Sequence, residues 1–132
     1  MSIRVCVAGA TGWTGSAVTN GIVRDDSFAL VGAVARSSAG QDIGGVTICA
    51  TVAEALQTPT DVFIDYSGAG PVKEHVLYAI DRGVNVVIGS SGLTAADYDD
   101  IAQKAREKGV GVIGGGNFSV SATLMQHLAL IA

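Results

Sequence analysis

Three glycines, each separated by two residues, follow the first apolar run of the chain. The run covers residues 3–8, the glycines are Gly9, Gly12 and Gly15, and a helical pattern over residues 13–24 begins within them. The first N–H groups of such a helix are free and lie at the positive end of its dipole, so they can bind an anion. Glycine is needed where the backbone turns sharply and approaches a pyrophosphate closely, which favours a dinucleotide site over an ordinary glycine-rich turn. The residues predicted to hold the pyrophosphate are Gly9, Ala10, Thr11, Gly12, Trp13 and Thr14.

Strand and helix patterns alternate along the rest of the chain. Strands are predicted over residues 3–8, 28–35, 46–49, 62–65, 84–88 and 110–113, and helices over residues 13–24, 51–56, 71–82, 95–108 and 119–132. Short connections between alternating elements produce a parallel sheet with helices on both faces. Together with the glycine turn, this order predicts an α/β fold: one doubly wound, Rossmann-type NAD(P)-binding domain over residues 1–132.

Composition argues against several classes of protein. Hydrophobic residues make up 48% of the chain and charged residues 15%, which suits buried parallel strands. A net charge of −4 without a basic run argues against nucleic-acid binding, and no apolar run is long enough to predict a membrane span. Cys6 and Cys49 lie outside any Cys-x-x-Cys pair or histidine cluster. We therefore expect two reduced, buried thiols in a cytoplasmic protein without a bound metal.

Small and polar residues follow five of the six predicted strands. In doubly wound sheets, ligands bind at the carboxyl ends of the strands, where the strand order reverses. The glycine turn is the first of these ends, and the others carry Arg36, Ser67, residues 89–92 and residues 114–119. A purely structural domain has no reason to repeat this composition at so many strand ends. We expect these segments to line one ligand crevice.

The end of the second strand favours one nicotinamide cofactor. In NAD-preferring chains an acidic residue about 20 residues beyond the glycines binds the adenosine ribose. Ala35 stands at that place here, and Arg36, Ser37 and Ser38 follow. A guanidinium binds phosphate through two parallel hydrogen bonds, and hydroxyls add further donors. The sequence predicts NADPH in preference to NADH; the alternative is that Arg36 is only a solvated loop charge.

Four segments together resemble the N-terminal domain of the dihydrodipicolinate reductase (4-hydroxy-tetrahydrodipicolinate reductase) family. They are residues 3–15, residues 62–67 (Val-Phe-Ile-Asp-Tyr-Ser), residues 87–93 (Val-Ile-Gly-Ser-Ser-Gly-Leu) and residues 116–120 (Gly-Asn-Phe-Ser-Val). The last two are similar to the family's V-I-G-T-T-G and A-N-F-S-[IV]-G segments in order and spacing. The resemblance implies reduction of a cyclic hydroxylated imine by NAD(P)H with loss of water, in lysine and diaminopimelate biosynthesis.

The resemblance also implies the other cofactor contacts. Arg36 would bind the adenosine end, and Ser67 would line the crevice. The nicotinamide half would meet Gly89, Ser90 and Ser91, with Ser91 also a candidate for the substrate edge. The loop closing over it would be Gly115, Gly116, Asn117 and Phe118. The family often carries Arg or Lys where Trp13 stands, so phosphate binding here would rest on the helix end and Arg36.

These 132 residues contain no candidate for the catalytic step. In the family that the chain resembles, a following domain binds the small dicarboxylate substrate, supplies the proton from a His-His and Lys cluster, and assembles a homotetramer. His75 and His127 stand in separate helical patterns, so we expect structural or solvent-facing roles for both. The last pattern is apolar and lacks the usual stop signals, so we expect a chain truncated before that domain and inactive alone.

Two other enzyme classes share a similar glycine turn. Cysteine-dependent semialdehyde dehydrogenases need a thiol at the crevice, whereas Cys6 is mid-strand and Cys49 ends a peripheral run. Short-chain reductases usually need Tyr-x-x-x-Lys, whereas Tyr78 is followed by Arg82 at that spacing. A stand-alone NADPH-binding or redox-sensing module without catalysis stays open, because every residue identified concerns cofactor binding.

Overall fold

The computed structural model describes residues 1–131 and arranges their strands in one seven-stranded sheet. The strands are β1 Ile3–Ala8, β2 Phe28–Val34, β3 Asp42–Ile43, β4 Val46–Cys49, β5 Val62–Asp65, β6 Asn85–Ile88 and β7 Val112–Gly114. The helices are α1 Trp13–Arg24, α2 Val52–Ala55, α3 Val72–Asp81, α4 Ala95–Lys108 and α5 Val120–Ile131, and a 3-10 turn covers Arg36–Ser38. The bounds of β1, β4, β5, α1 and α4 are those predicted from the sequence.

The order of the strands locates the ligand crevice. The sheet runs β3-β4-β2-β1-β5-β6-β7, and every neighbouring pair is parallel except β3 with β4. The chain builds outward from β1 through β2 to β4 and then returns to place β5 on the free side of β1. Ala8 and Asp65 are register partners at the carboxyl ends of β1 and β5. The order reverses between these two residues, so the prediction of a doubly wound sheet is confirmed.

Strand β3 is the one strand among the described residues that was not predicted from the sequence. It pairs antiparallel with β4 through a turn at Gly44 and Gly45, whose φ values are +58° and +81°. The carboxylate of Asp42 accepts a hydrogen bond from the N–H of Gly45 at 3.1 Å. A two-residue strand is too short to show an alternating pattern, and only the paired glycines marked the turn.

Strand β7 begins two residues later than predicted. The N–H of Val110 donates to the carbonyl of Ala105 at the end of α4, at 3.1 Å. The N–H of Gly111 donates to Oδ1 of Asn85 at 2.8 Å. Val110 is thus bonded to the helix and Gly111 to a side chain of β6, and the strand register with β6 begins at Val112.

Local caps explain where α4 and α2 begin. Thr94 and Asp97 form the complete capping box of α4, each side chain accepting from the other's backbone N–H. At α2 the hydroxyl of Thr51 accepts from the N–H of Glu54 at 3.2 Å. The carboxylate of Glu54, however, accepts from the N–H of Ala50 rather than from that of Thr51. The Thr-x-x-Glu sequence of residues 51–54 therefore forms only half of a capping box.

The two faces of the sheet bury separate apolar cores. The first core lies under α2, α3 and α4 and includes the fully buried Phe63, Ile80 and Ile101. The second lies under α1 and includes Val7 and Ile22. Both faces are covered, as a parallel sheet requires.

Helix α5 packs differently from the other helices. Its apolar side chains include Val120, Leu124, Leu128 and Ile131, yet it has no buried residue. The predicted end of this helix at residue 132 lies outside the described residues. Within residues 1–131, no helix is long and apolar enough to cross a membrane.

Candidate functional site

The turn between β1 and α1 is shaped by contacts that exclude side chains. Gly9 has a φ of +76°, and a Cβ on it would overlap the carbonyl of Tyr66. A Cβ on Gly15 would overlap the carbonyl of Gly9, to which the N–H of Gly12 also donates at 3.0 Å. Gly12 is the N-cap of α1, with no side-chain cap and no acidic residue in the first turn. The helix therefore presents uncapped N–H groups at the carboxyl edge of the sheet, as an anion site requires.

A first cavity of about 450 Å³ lies on the β2 side of the point where the strand order reverses. Three residues predicted for the cofactor line it: Gly9, Arg36 and Ser67. The rest of its wall consists of Val34, Ala35, Ala50, Thr51, Val52, Ala53, Pro71, Glu74, His75 and Tyr78. The cavity thus joins the ends of β1, β2, β4 and β5 to the exposed side of α3.

A second cavity of about 520 Å³ lies on the β6 side. Its wall consists of Thr14, Tyr66, Gly89, Gly116, Asn117, Phe118 and Ser119. The ring of Tyr66 stands so close to Gly89 that a Cβ there would overlap it. Because Tyr66 faces this cavity and Ser67 faces the other, the loop after β5 separates the two.

The other predicted residues surround these cavities. Thr11, Gly12, Trp13 and Ser91 are exposed, Ala10 is buried, and Gly115 is half-buried beside the ring of Phe118. Ser90 is buried, and its hydroxyl donates to the carboxylate of Asp65 at 2.6 Å. A contact from Ser90 to a ligand would therefore come from its backbone.

Asp65 is the site residue that the sequence analysis did not select. Its fully buried carboxylate accepts from the N–H and hydroxyl of Ser67 at 3.0 and 2.8 Å, as well as from Ser90. Burial raises the pKa of this carboxyl, but hydrogen bonds from His75, Ser90 and Ser67 outweigh burial, and the pKa lies below its ordinary value. An acidic residue that ends an otherwise apolar strand at the ligand edge was the available signal.

His75 lies at the candidate site. Its Nδ1 lies 3.0 Å from Oδ2 of Asp65 and 3.2 Å from the hydroxyl of Ser67. The ring lies on the wall of the first cavity. His75 is therefore bonded to Asp65 beside the first cavity, and the expectation of a structural or solvent-facing role for it stays a prediction.

Neither cysteine is an activated thiol. Cys6 is buried in β1, and burial raises its pKa to about 12. Burial also raises the pKa of the half-buried Cys49. Thiolates are the reactive form, so these residues do not supply the nucleophile of a cysteine-dependent dehydrogenase. Among residues 1–131, no three His, Cys, Asp or Glu side chains are grouped so as to hold a metal.

The doubly wound sheet, the uncapped glycine turn and the two cavities at the reversal point define a nicotinamide-dinucleotide-binding domain. The sequence pattern of "Dihydrodipicolinate reductase, N-terminus" matches residues 3–118. The chain belongs to this family.

Relatives and solved structures agree with this assignment. The chain is 34% identical to the 4-hydroxy-tetrahydrodipicolinate reductase of Moorella thermoacetica, over 97% of the chain and 51% of that protein. It is 32% identical to the enzyme of Bacillus anthracis, over 98% of the chain and 52% of that protein. The dipicolinate-bound dihydrodipicolinate reductase of Paenisporosarcina sp. TG-14 superposes with a TM-score of 0.85 at 25% identity, over 100% of the chain and 54% of that chain. The chain thus spans about half the length of the relatives it matches.

Proposed function

We propose that this chain is the cofactor domain of a 4-hydroxy-tetrahydrodipicolinate reductase acting in lysine and diaminopimelate biosynthesis. The observation that carries the proposal is the pair of cavities on either side of the loop after β5, at the reversal point. A dinucleotide needs one recess for each of its halves and an anion site between them. The two cavities and the amino end of α1 supply these three parts.

The adenosine half fits the first cavity. Arg36 offers the paired donors that bind a 2′-phosphate, and the neighbouring Ala35 contributes no carboxylate to repel it. Ser67 and the backbone of Gly9 complete that end. We therefore assign NADPH as the preferred cofactor. The uncapped N–H groups of Trp13 and Thr14 bind the pyrophosphate.

The nicotinamide half fits the second cavity. Gly89, Gly116, Asn117 and Phe118 line this cavity and would surround the nicotinamide ring. When bound, NADPH would supply the hydride that replaces the hydroxyl lost from the substrate as water. The residues of this chain orient the ring and exclude water from one face, and Ser91 lies at the exposed edge where substrate would enter.

The dicarboxylate substrate and the proton donor require a second domain. None of the proposed contacts in this chain supplies a cation for two carboxylates beside the second cavity, and the relatives are about twice as long. The cytoplasmic location and the homotetramer of the complete enzyme are proposals that rest on the family resemblance. By itself, this chain binds NADPH and turns over no substrate.

A chimera tests the whole proposal. This chain replaces the matching half of the Moorella thermoacetica reductase, and the product is assayed with 4-hydroxy-tetrahydrodipicolinate by the loss of NADPH absorbance. The proposal expects substrate-dependent oxidation by the chimera and none by this chain alone. A folded chimera that binds NADPH without reducing substrate would favour the alternative of a binding or sensing module.

A further inference from the structure

We propose that Asp65 is a positioning residue that holds the two cofactor-binding loops in one arrangement, so that both halves of the cofactor site form together. The loops are the β5–α3 loop, residues 66–71, and the β6–α4 loop, residues 89–94. The inference deepens the proposed function, since it assumes that these loops hold the dinucleotide. Its physical basis is the set of hydrogen bonds that converge on one buried residue.

Asp65 fixes the β5–α3 loop through Ser67. The N–H and hydroxyl of Ser67 both donate to Oδ1 of Asp65, at 3.0 and 2.8 Å. These two bonds set the direction in which the loop leaves β5. They also place Ser67 on the wall of the first cavity, next to Gly9.

The same carboxylate fixes the β6–α4 loop through Ser90. The hydroxyl of Ser90 donates to Oδ1 of Asp65 at 2.6 Å and accepts from the N–H of Gly68 at 3.1 Å, which bridges the two loops. The backbone N–H groups of Gly89 and Ser90 donate to the carbonyl of Asp65 at 2.9 and 3.0 Å. Both loops therefore depend on one residue at the end of β5.

The second carboxylate oxygen orients His75. An ionised carboxylate only accepts hydrogen bonds, so Nδ1 of His75, 3.0 Å from Oδ2 of Asp65, carries the proton. In a neutral ring with its proton on Nδ1, Nε2 is the remaining acceptor. Asp65 thereby sets the hydrogen-bonding character of a ring that lines the first cavity.

Because the carboxylate of Asp65 is buried, it needs all of these hydrogen bonds. A buried charge is tolerated only when hydrogen bonds replace the water it has lost. Asp65 has no solvent exposure, and its carboxylate has four donors: the N–H and hydroxyl of Ser67, the hydroxyl of Ser90 and Nδ1 of His75. Displacing either loop would remove hydrogen-bond donors from the buried charge of Asp65. The positions of the two loops are therefore coupled before any ligand binds.

The variant Asp65→Asn keeps the shape and removes the charge. Its control is Asp61→Asn. Asp61 directly precedes β5 at the amino end of that strand, where it pairs with exposed Arg4. Amide hydrogen exchange without ligand should accelerate at both loops in Asp65→Asn and at neither in Asp61→Asn. The ¹⁵N shifts of the His75 ring should report a change of tautomer in Asp65→Asn alone, a change that a general loss of stability would not produce.

Ligand affinity provides the second measurement. Asp65→Asn should weaken NADPH binding about tenfold or more, and 2′-phospho-ADP-ribose, which lacks the nicotinamide, by a smaller factor. Exchange that accelerates at only one loop, or an unchanged NADPH affinity in folded Asp65→Asn, would overturn the inference. If Asp65→Asn does not fold, Ser90→Ala is used in its place. Unchanged amide hydrogen exchange at the β5–α3 loop in Ser90→Ala would also overturn the inference.

The proposed function fails separately from this inference. A wild-type chain that binds neither NADPH nor NADH would contradict the proposed function, while the amide exchange data would still decide the role of Asp65.

Discussion

The ring of Tyr66 occupies the space that any side chain on Gly89 would need. Both residues line the second cavity, and each belongs to a different loop. The close approach keeps the wall of the cavity free of a side chain at residue 89. It also means that the two loops cannot move independently at this point.

Gly89→Ala tests this contact. The added methyl group forces the ring of Tyr66 to move, so we expect the free energy of unfolding to fall by about 1–3 kcal/mol and NADPH binding to weaken. Gly21→Ala is the matched control, since a Cβ there meets nothing within 4 Å and lies inside α1. The control should gain about 0.5–1 kcal/mol because alanine favours helix. Chemical denaturation measures both, and equal effects of the two variants would contradict the contact.

Arg36→Ala tests the cofactor preference. Removing the guanidinium should weaken NADPH binding about tenfold or more and leave NADH within about twofold, since only NADPH carries the 2′-phosphate. Fluorescence of Trp13, the single tryptophan of the chain, reports binding because this residue lies in the glycine turn. Wild-type affinities that are equal for the two cofactors and unchanged in Arg36→Ala would exclude the preference.

Glu74→Gln probes the negative charge on the same wall. Glu74 lines the first cavity with Arg36 and opposes the approach of a phosphate. Neutralising it should tighten NADPH about threefold at low salt, with the gain shrinking as salt screens the charge. NADH affinity serves as the internal control. An equal increase in affinity for NADPH and NADH would show that Glu74 does not act on the 2′-phosphate.

Acid titration should reveal the pair formed by Asp97 and Lys73. Hydrogen bonds from Lys73 and from Thr94 lower the pKa of the Asp97 carboxyl to about 2. A lowered folded-state pKa stabilises the fold above the unfolded value of 3.8, and this contribution is lost as pH falls toward 2. Asp97→Asn should therefore be less stable than wild type at pH 7 and converge with it near pH 2. Asp99 makes neither of these contacts, so the stability of Asp99→Asn should equal that of wild type at every pH.

Thiol labelling tests the burial of both cysteines. At pH 8 a maleimide should modify Cys6 and Cys49 in the native chain at least about tenfold more slowly than in the chain unfolded by guanidinium. The reason is burial, which raises the pKa of both thiols, that of Cys6 to about 12. Mass spectrometry identifies which residue is labelled. Rapid labelling of Cys6 in the native state would show that β1 is more accessible than its packing indicates.

The parts of the fold that the sequence predicted correctly depend on local chemistry. Helix α4 has its predicted bounds because the capping box at Thr94 and the left-handed Gly109, with φ of +67°, act within a few residues. The doubly wound sheet was predictable because the glycine turn and the alternation of elements restrict the topology. Strand β3 was not, since its pairing depends on the turn at Gly44 rather than on its own residues.

The candidate site was predictable only in outline. Sequence analysis identified strand ends correctly as the places where small and polar residues collect. It did not predict that the hydroxyl of Ser90 faces inward, or that His75 is bonded to Asp65 across ten positions of chain. The first contact depends on the pairing of β6 with β5, and the second on the packing of α3 against the end of β5. Spacing along the chain does not encode that packing.

Both edges of the sheet are very short. Strand β3 has two residues and β7 has three, whereas β2 in the interior has seven. An exposed edge strand presents unpaired N–H and carbonyl groups that can recruit a strand from another molecule and begin a cross-β fibril. The two outermost strands of the described residues present few such groups. At those two strands, a chain that is 48% hydrophobic therefore offers strand addition only two- and three-residue templates.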